Sequence, residues 1–295
     1  MIYMETKVAL LVVYNHRYDK NIPRVQELYS KKFSHVYHIV PFYDGKIENV
    51  SVIPVYESSY NFQGYISQAY AHIKNNGFTH YFVIADDMIV NPDVNEQNIW
   101  DLVGIEKDEC FIPANLKVLQ RMDFFWSPIW DALTYRINIP GVEIENILPN
   151  KEFAIERFHY YNLPTNPIPF SVLLRHYQNY VLAIKKIPWY RKLKYPLVGA
   201  YSDSLFITSE AMSNFCTYCG AFAATNLFVE VAIPTALILS TKKLKLNKDI
   251  RLHNGALWTK SIHILDKYDY SLDKLIKDFP KDKLFLHPVK LSKWK

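Results

Sequence analysis

Residues 80 to 92 read HYFVIADDMIVNP, an apolar run that delivers two adjacent carboxylates, Asp86 and Asp87, ahead of a second apolar triplet. Like charges side by side at a strand end repel unless a metal ion, a basic side chain or water lies between or beside them. Acids in that position suit a divalent cation that shares phosphate oxygens. A solvated turn holding two acids is the plain alternative, but it would be flanked by turn residues, and Met88-Ile89-Val90 comes next instead.

Other residues raise the same kind of question. Glu230 stands alone among apolar neighbours in NLFVEVAIPTALIL (226–239). A carboxylate there is paired, protonated or functional, and a buried ion pair is the bland outcome. Asp203 lies in GAYSDS (199–204), between a short apolar run and a second one. Two late histidines, His253 in LHNGALW (252–258) and His287 in LFLHPVKLSKW (284–294), each sit beside an apolar segment.

The elements that would position these groups are readable in the first third. KVALLVVY (7–14) is a continuous β-branched run, as in a strand covered on both faces. Residues 21–33 carry a helical pattern with Pro23 near its start, and HVYHIVP (35–41) reads as a second strand closed by Asp44-Gly45. A third strand over 50–55, a helix over 61–75 stopped by Asn75-Asn76-Gly77, and a fourth strand over 80–85 complete the series. Alternation of this kind predicts a parallel α/β sheet with helices on its faces. Ligands of such sheets bind outside the carboxyl ends of the strands. Asp86 and Asp87 lie just past one such end, and Tyr14 to Arg17 past another.

The middle, about 110–196, is irregular and holds more than half of the 16 prolines, with the aromatic groups FFWSPIW (124–130) and FHYYNLP (158–164). Loops laid over the sheet are expected there, shaping a pocket. KKIPWYRKLKY (185–195) mixes basic and aromatic residues, which fits an anionic membrane surface, a phosphate-bearing substrate or a solvated loop. After Leu197 the pattern predicts a strand broken at Tyr201–Ser204, then a helix capped by Thr208 or Ser209, then a helix or strand from Asn226.

Bulk properties set limits. A chain of 295 residues buries a sizeable core, and 49% hydrophobic with 21% charged residues is the balance of a folded protein. A net charge of +5 does not point to nucleic acid, and none is expected as a partner. The 15% aromatic content suits sugars and bases, or simple packing. Cys110, Cys216 and Cys219 cannot form a disulfide framework, and reduced, buried thiols are expected. Val8 to Val13 is too short for a secretory signal, so a cytoplasmic location is expected.

With these pieces in order, the chain resembles nucleotide-sugar-dependent glycosyltransferases of the GT-A type, particularly bacterial enzymes that build surface polysaccharide and lipopolysaccharide. IADDM (84–88) is similar to a variant of the Asp-x-Asp signature, GAYSDS to the glycine-containing strand bordering the acceptor, LFVE (227–230) to the segment carrying an acid toward the reacting sugar, and the late histidine to a last metal ligand. A strict signature needs an acid at 85 or 88, where this chain has Ala85 and Met88.

The resemblance implies a GT-A-like, Rossmann-type three-layer α/β/α sandwich with a mainly parallel sheet. It would be one continuous domain with a nucleotide-sugar-binding half (1–109), a pocket-shaping insertion (110–196) and an acceptor and catalytic half (197–295). It implies Mn²⁺ or Mg²⁺ at Asp87 and at His287 or His253, with His287 ranked first because Lys290 adds a phosphate partner. Asp86 would reach the ribose or support the metal contact, and Tyr14, Asp44 and Gln63 would lie by the nucleotide. Glu230, then Asp203, would be the base. The implied partners are a nucleotide-sugar donor, with UDP favoured, and a glycan or lipid-linked saccharide acceptor. Peripheral contact with the inner face of the plasma membrane would run through 185–196. Two other readings remain open. A sugar nucleotidyltransferase would want a glycine-rich loop after the first strand, which NHRYDKNIPR (15–24) lacks. The other is a non-catalytic descendant that binds glycan or a partner protein.

Overall fold

The computed structural model describes residues 7–119, 127–179, 191–258 and 261–295. Its first half keeps the predicted order. β1 (Val8–Val13) is buried at every position, as a doubly covered β-branched run must be. α1 (Ile22–Tyr29), β2 (His35–Pro41), β3 (Ser51–Val55), α2 (Gln63–Ile73) and β4 (His80–Ala85) come next. β2 and β4 fall on the predicted spans, whereas α1 and α2 are shorter than predicted, because turns take up their ends.

The insertion is built of short pieces. After β5 (Ile89–Val90) and α3 (Ile99–Val103), which still belong to the first 109 residues, β6 (Cys110–Phe111), β7 (Lys117–Val118), α4 (Ser127–Asp131), β8 (Asn138–Ile139) and β9 (Val142–Glu143) lead to α5 (Lys151–Tyr160) and α6 (Phe170–Asn179). Residues 124–126 and 185–190 of the two aromatic and basic stretches lie outside the described residues. The end of the second stretch turns inward, with Leu193 and Tyr195 buried and the Tyr195 hydroxyl donating to the Pro149 carbonyl at 2.9 Å.

The last third supplies β10 (Val198–Gly199), β11 (Ser204–Thr208), α7 (Ser209–Ala224), α8 (Val229–Ser240), β12 (Leu244–Lys245), α9 (Leu272–Lys277) and β13 (Phe285–Leu286). The apolar segment after Asn226 is thus a helix, and Thr208 precedes α7 without a side-chain cap. All three cysteines are free and buried, Cys216 and Cys219 within α7.

Seven strands form the central sheet in the order β12-β6-β11-β4-β1-β2-β3. β3, β2, β1 and β4 run parallel, β11 is antiparallel to both β4 and β6, and β12 is parallel to β6. Alternate residues of β1 face opposite cores. Ala9, Leu11 and Val13 pack toward α2, α7 and α8, while Val8, Leu10 and Val12 pack toward α1, α3 and the C-terminal segment. The architecture is therefore α/β with helices on both faces of a mostly parallel sheet. α2 packs along α7, so the first and last thirds of the chain share one core. Among the described residues, no helix is long and apolar enough to cross a membrane.

Candidate functional site

The acid pair is placed by the end of β4 and by the short strand β5 just beyond it. The Asp86 N–H donates to the Val13 carbonyl at 3.0 Å, extending the β1–β4 pairing by one residue. Met88, Ile89 and Val90 are buried, and β5 pairs antiparallel with β13, Leu286 opposite Ile89. The apolar triplet after the acids thus contains a strand that recruits the C-terminal segment. That pairing carries His287 onto Asp87, Nε2 to Oδ1 at 2.9 Å, and the Val289 N–H donates to the Asp87 carbonyl at 2.6 Å.

His287 continues the network. Its Nδ1 lies 3.0 Å from the Tyr201 hydroxyl and 3.9 Å from an Asp203 carboxylate oxygen, and Tyr201 also hydrogen-bonds Asp203. Burial acts to lower the His287 pKa, but the Asp87 hydrogen bond and the surrounding carboxylates outweigh it, so the net shift is upward. A protonated His287 donates at both ring nitrogens, to Asp87 and to the Tyr201 oxygen, leaving the Tyr201 proton for Asp203.

Protons hold the remaining acids. Asp86 is 5% exposed, and burial, reinforced by the Asp87 charge, pushes its pKa up to about 8. Glu230 enters at the first turn of α8, where burial and then Asp203 push its pKa up to about 8. Burial also raises Asp203, with Asp87 adding to the effect and His287 opposing it. Asp86 and Glu230 thus keep their carboxyl protons near neutral pH, and the surrounding acids favour the charged form of His287.

These groups open onto one cavity of about 540 Å³. Asp86, Asp87, Asp203, Glu230, His287 and Lys290 line it together with Asn15, His16, Tyr60, Phe62 and Phe228. A second cavity of about 520 Å³ lies against Pro113 to Lys117 and Gly199 to Tyr201, and it shares Glu230 and Trp258 with the first. Tyr201 stands between them, stacked on Phe285 at 5.9 Å and edge-on to Trp258 at 6.1 Å.

Six of the residues singled out in the sequence therefore meet: Asp86, Asp87, Asp203, Glu230, His287 and Lys290. Four do not. Tyr14 is fully buried with its hydroxyl 2.9 Å from His38 Nδ1, because its ring turns into the core from the strand end. Gln63 is buried in the first turn of α2 and donates to the Leu227 carbonyl at 2.8 Å, tying α2 to the start of α8. Asp44 is exposed and pairs with Arg17 at 2.8 Å. His253 spends its Nδ1 on the Asn247 carbonyl at 3.0 Å and does not line the cavity.

The fit of a metal ion can be judged from the donors. Among the described residues, no group of three or more His, Cys, Asp or Glu is disposed to hold one. Asp87 and His287 are bonded to each other, and His253 is elsewhere. The oxygen donors of Asp86 and Asp87 match a hard cation that keeps waters and shares substrate oxygens, provided the His287 proton is displaced. Tyr60, Phe62, Tyr201 and Trp258 were not singled out in the sequence. The signal for Tyr60 and Phe62 was their place just after β3, another strand that ends on the same side of the sheet. A scan against protein-family models and a search of the curated proteins each returned no match.

Proposed function

We propose that the chain is a glycosyltransferase of the GT-A type, moving a sugar from a nucleotide-sugar donor, a UDP-sugar first, to a saccharide acceptor. The observation that carries this reading is the meeting of two cavities at one carboxyl group, Glu230, with acids, a histidine and Lys290 gathered in only one of them. Transfer between two substrates needs two compartments and a proton acceptor where they join.

In this reading the donor occupies the acid-lined cavity. Its base lies among His16, Tyr60 and Phe62, where ring faces stack. Its diphosphate lies toward Lys290 and His287, which stabilise negative charge as the bond from the anomeric carbon to the diphosphate oxygen breaks. The acceptor hydroxyl forms the new bond to that carbon and gives its proton to Glu230. A carboxylate with a raised pKa is a stronger base than an ordinary one. Mn²⁺ or Mg²⁺, held by Asp87 with Asp86, would supply further charge neutralisation at the diphosphate.

The Asp87–His287 bond favours a second reading, a glycan- or partner-binding protein without transfer, since it occupies the acid best placed for a cation. Thermal unfolding with UDP-, GDP- and CMP-sugars and Mn²⁺, followed by donor hydrolysis, separates the two. The transferase reading expects one donor class to raise the unfolding temperature, and Asp87→Ala and Glu230→Gln each to abolish transfer. No shift with any donor, or full activity in both variants, overturns it.

A further inference from the structure

We propose that the second cavity holds the acceptor as an uncharged sugar ring stacked on the indole of Trp258. This rests on the transferase reading and adds the site of its second substrate and the residue that selects it.

Trp258 is 63% exposed, with its backbone held by hydrogen bonds and its ring set against Tyr201. Its N–H donates to Ser261 Oγ at 2.9 Å, and its carbonyl accepts from the N–H groups of Ser261 (2.7 Å) and Ile262 (3.0 Å). Its ring meets Tyr201 edge-on at 89°, and Tyr201 is held in turn by Phe285 and His287. Upstream, the Leu257 N–H donates to the His287 carbonyl at 2.6 Å. Gly255 makes that approach possible, because a Cβ there would sit 1.5 Å from the Phe285 carbonyl oxygen. An indole left open to solvent above a hydrogen-bonded backbone offers a flat face on which a ligand can stack.

The rest of the wall matches a sugar. Pro113, Ala114 and Ala200 are apolar, and Asn115 and Asn247 bring side-chain amides. Asn247 Oδ1 accepts from the Asn254 N–H at 2.7 Å, while its Nδ2 has no hydrogen-bond partner among the described residues. A pyranose offers C–H bonds on its face and hydroxyls around its edge, so an indole and flanking amides satisfy both. The ionisable groups on this wall are Glu230 and Lys117, and no arginine fork is present among its described residues to grip phosphate. An anionic ring here would oppose the ionisation of Glu230 on which transfer depends. A neutral ring on Trp258 brings an edge hydroxyl to Glu230, which borders both cavities.

Saturation-transfer NMR on the full chain tests this with methyl glycosides of glucose, galactose, N-acetylglucosamine and rhamnose, with lactose and cellobiose, and with methyl glucuronide as the anionic control. At least one neutral probe should receive saturation, mainly on the C–H protons of one ring face. Trp258→Ala should weaken it about tenfold, Trp258→Phe should restore part of the affinity, and the glucuronide should stay silent. Should Trp258→Ala fail to fold, Trp258→Phe and Asn247→Ala carry the test, each with an intermediate loss. No neutral probe binding, unchanged affinity in the variants, or equal binding of the glucuronide overturns the proposal. UDP binding with Mn²⁺, measured alongside by calorimetry, keeps the two readings apart. Nucleotide without sugar sinks this inference alone, and sugar without any nucleotide sinks the transferase and leaves the saccharide site standing.

Discussion

Asp87 Oδ1 and His287 Nε2 lie 2.9 Å apart, joining the end of β4 to the C-terminal segment through the β5–β13 pairing. The acid is thereby partnered from a distant part of the chain, and the bond closes the wall of the larger cavity. His287→Ala should lower stability by about 2–3 kcal/mol, the range for removing one member of a charge-assisted hydrogen bond. A double-mutant cycle with Asp87→Asn, read by urea unfolding, should show coupling of about 1–2 kcal/mol. Additivity would mean that the bond contributes nothing in solution.

Asp86 and Glu230 make a pH prediction whose sign is fixed by their shifts. Both have folded-state pKa values raised to about 8 from 3.8 and 4.5. Their contribution to stability is full below the unfolded values and is lost as pH rises through 8. Between pH 6 and 9 in chelator, stability should fall by about 3 kcal/mol for each group. Asp86→Asn and Glu230→Gln should each flatten part of that slope. A pH-independent wild type across this window would contradict the burial of the two carboxyls.

Glu230→Gln should reduce kcat by about 10²–10⁴-fold while leaving donor KM little changed, the pattern of a lost general base. The wild-type rate should rise with pH through about 8 as Glu230 ionises, and the variant should not track it. A matching pH profile in both proteins would assign the proton to another group.

Gly255→Ala should be severe, because the added Cβ meets a backbone carbonyl rather than a movable side chain. The expected cost is roughly 3 kcal/mol, the upper end for overpacking. A native-like unfolding temperature would show that residues 253–258 are free to move away from Phe285.

Tyr14→Phe separates a core role from a nucleotide role. Losing the hydroxyl's bond to His38 should cost about 1 kcal/mol. His38 is held neutral, with burial lowering its pKa to about 4, so the partner left behind is uncharged. Donor affinity should not change, and a marked loss of nucleotide binding would return Tyr14 to the site.

The sequence made the α/β half of the fold legible because β1, β2 and β4 are dense apolar runs separated by clear helix stops. The acids Asp86 and Asp87 could be placed for the same reason: a strand end is a position that sequence pattern locates well. The ranking of His287 over His253 leaned on Lys290; the structure puts His287 and Lys290 at the cavity and His253 away from it, but the reason for that placement was hidden. It comes from the pairing of two-residue strands, Ile89–Val90 with Phe285–Leu286, which no periodicity can reveal. Tyr14 was misplaced because a strand-end residue can turn either outward or into the core, and pattern alone does not decide which. Trp258 passed unnoticed because exposed aromatics have no period. The single strand read after Leu197, broken at Tyr201–Ser204, is two strands of different sheets: β10 pairs with β7, and β11 enters the central sheet antiparallel to β4 and β6, a route that local sequence does not encode.

β11 arrives from the last third of the chain yet lies between β4 and β6. A fragment ending before Ser204 would leave the backbone of β4 bare along one side, a template for strand addition by other copies. Neither residues 1–203 nor residues 204–295 should therefore yield a well-behaved protein when produced alone, and the two pieces co-produced should recover solubility only by assembling with each other.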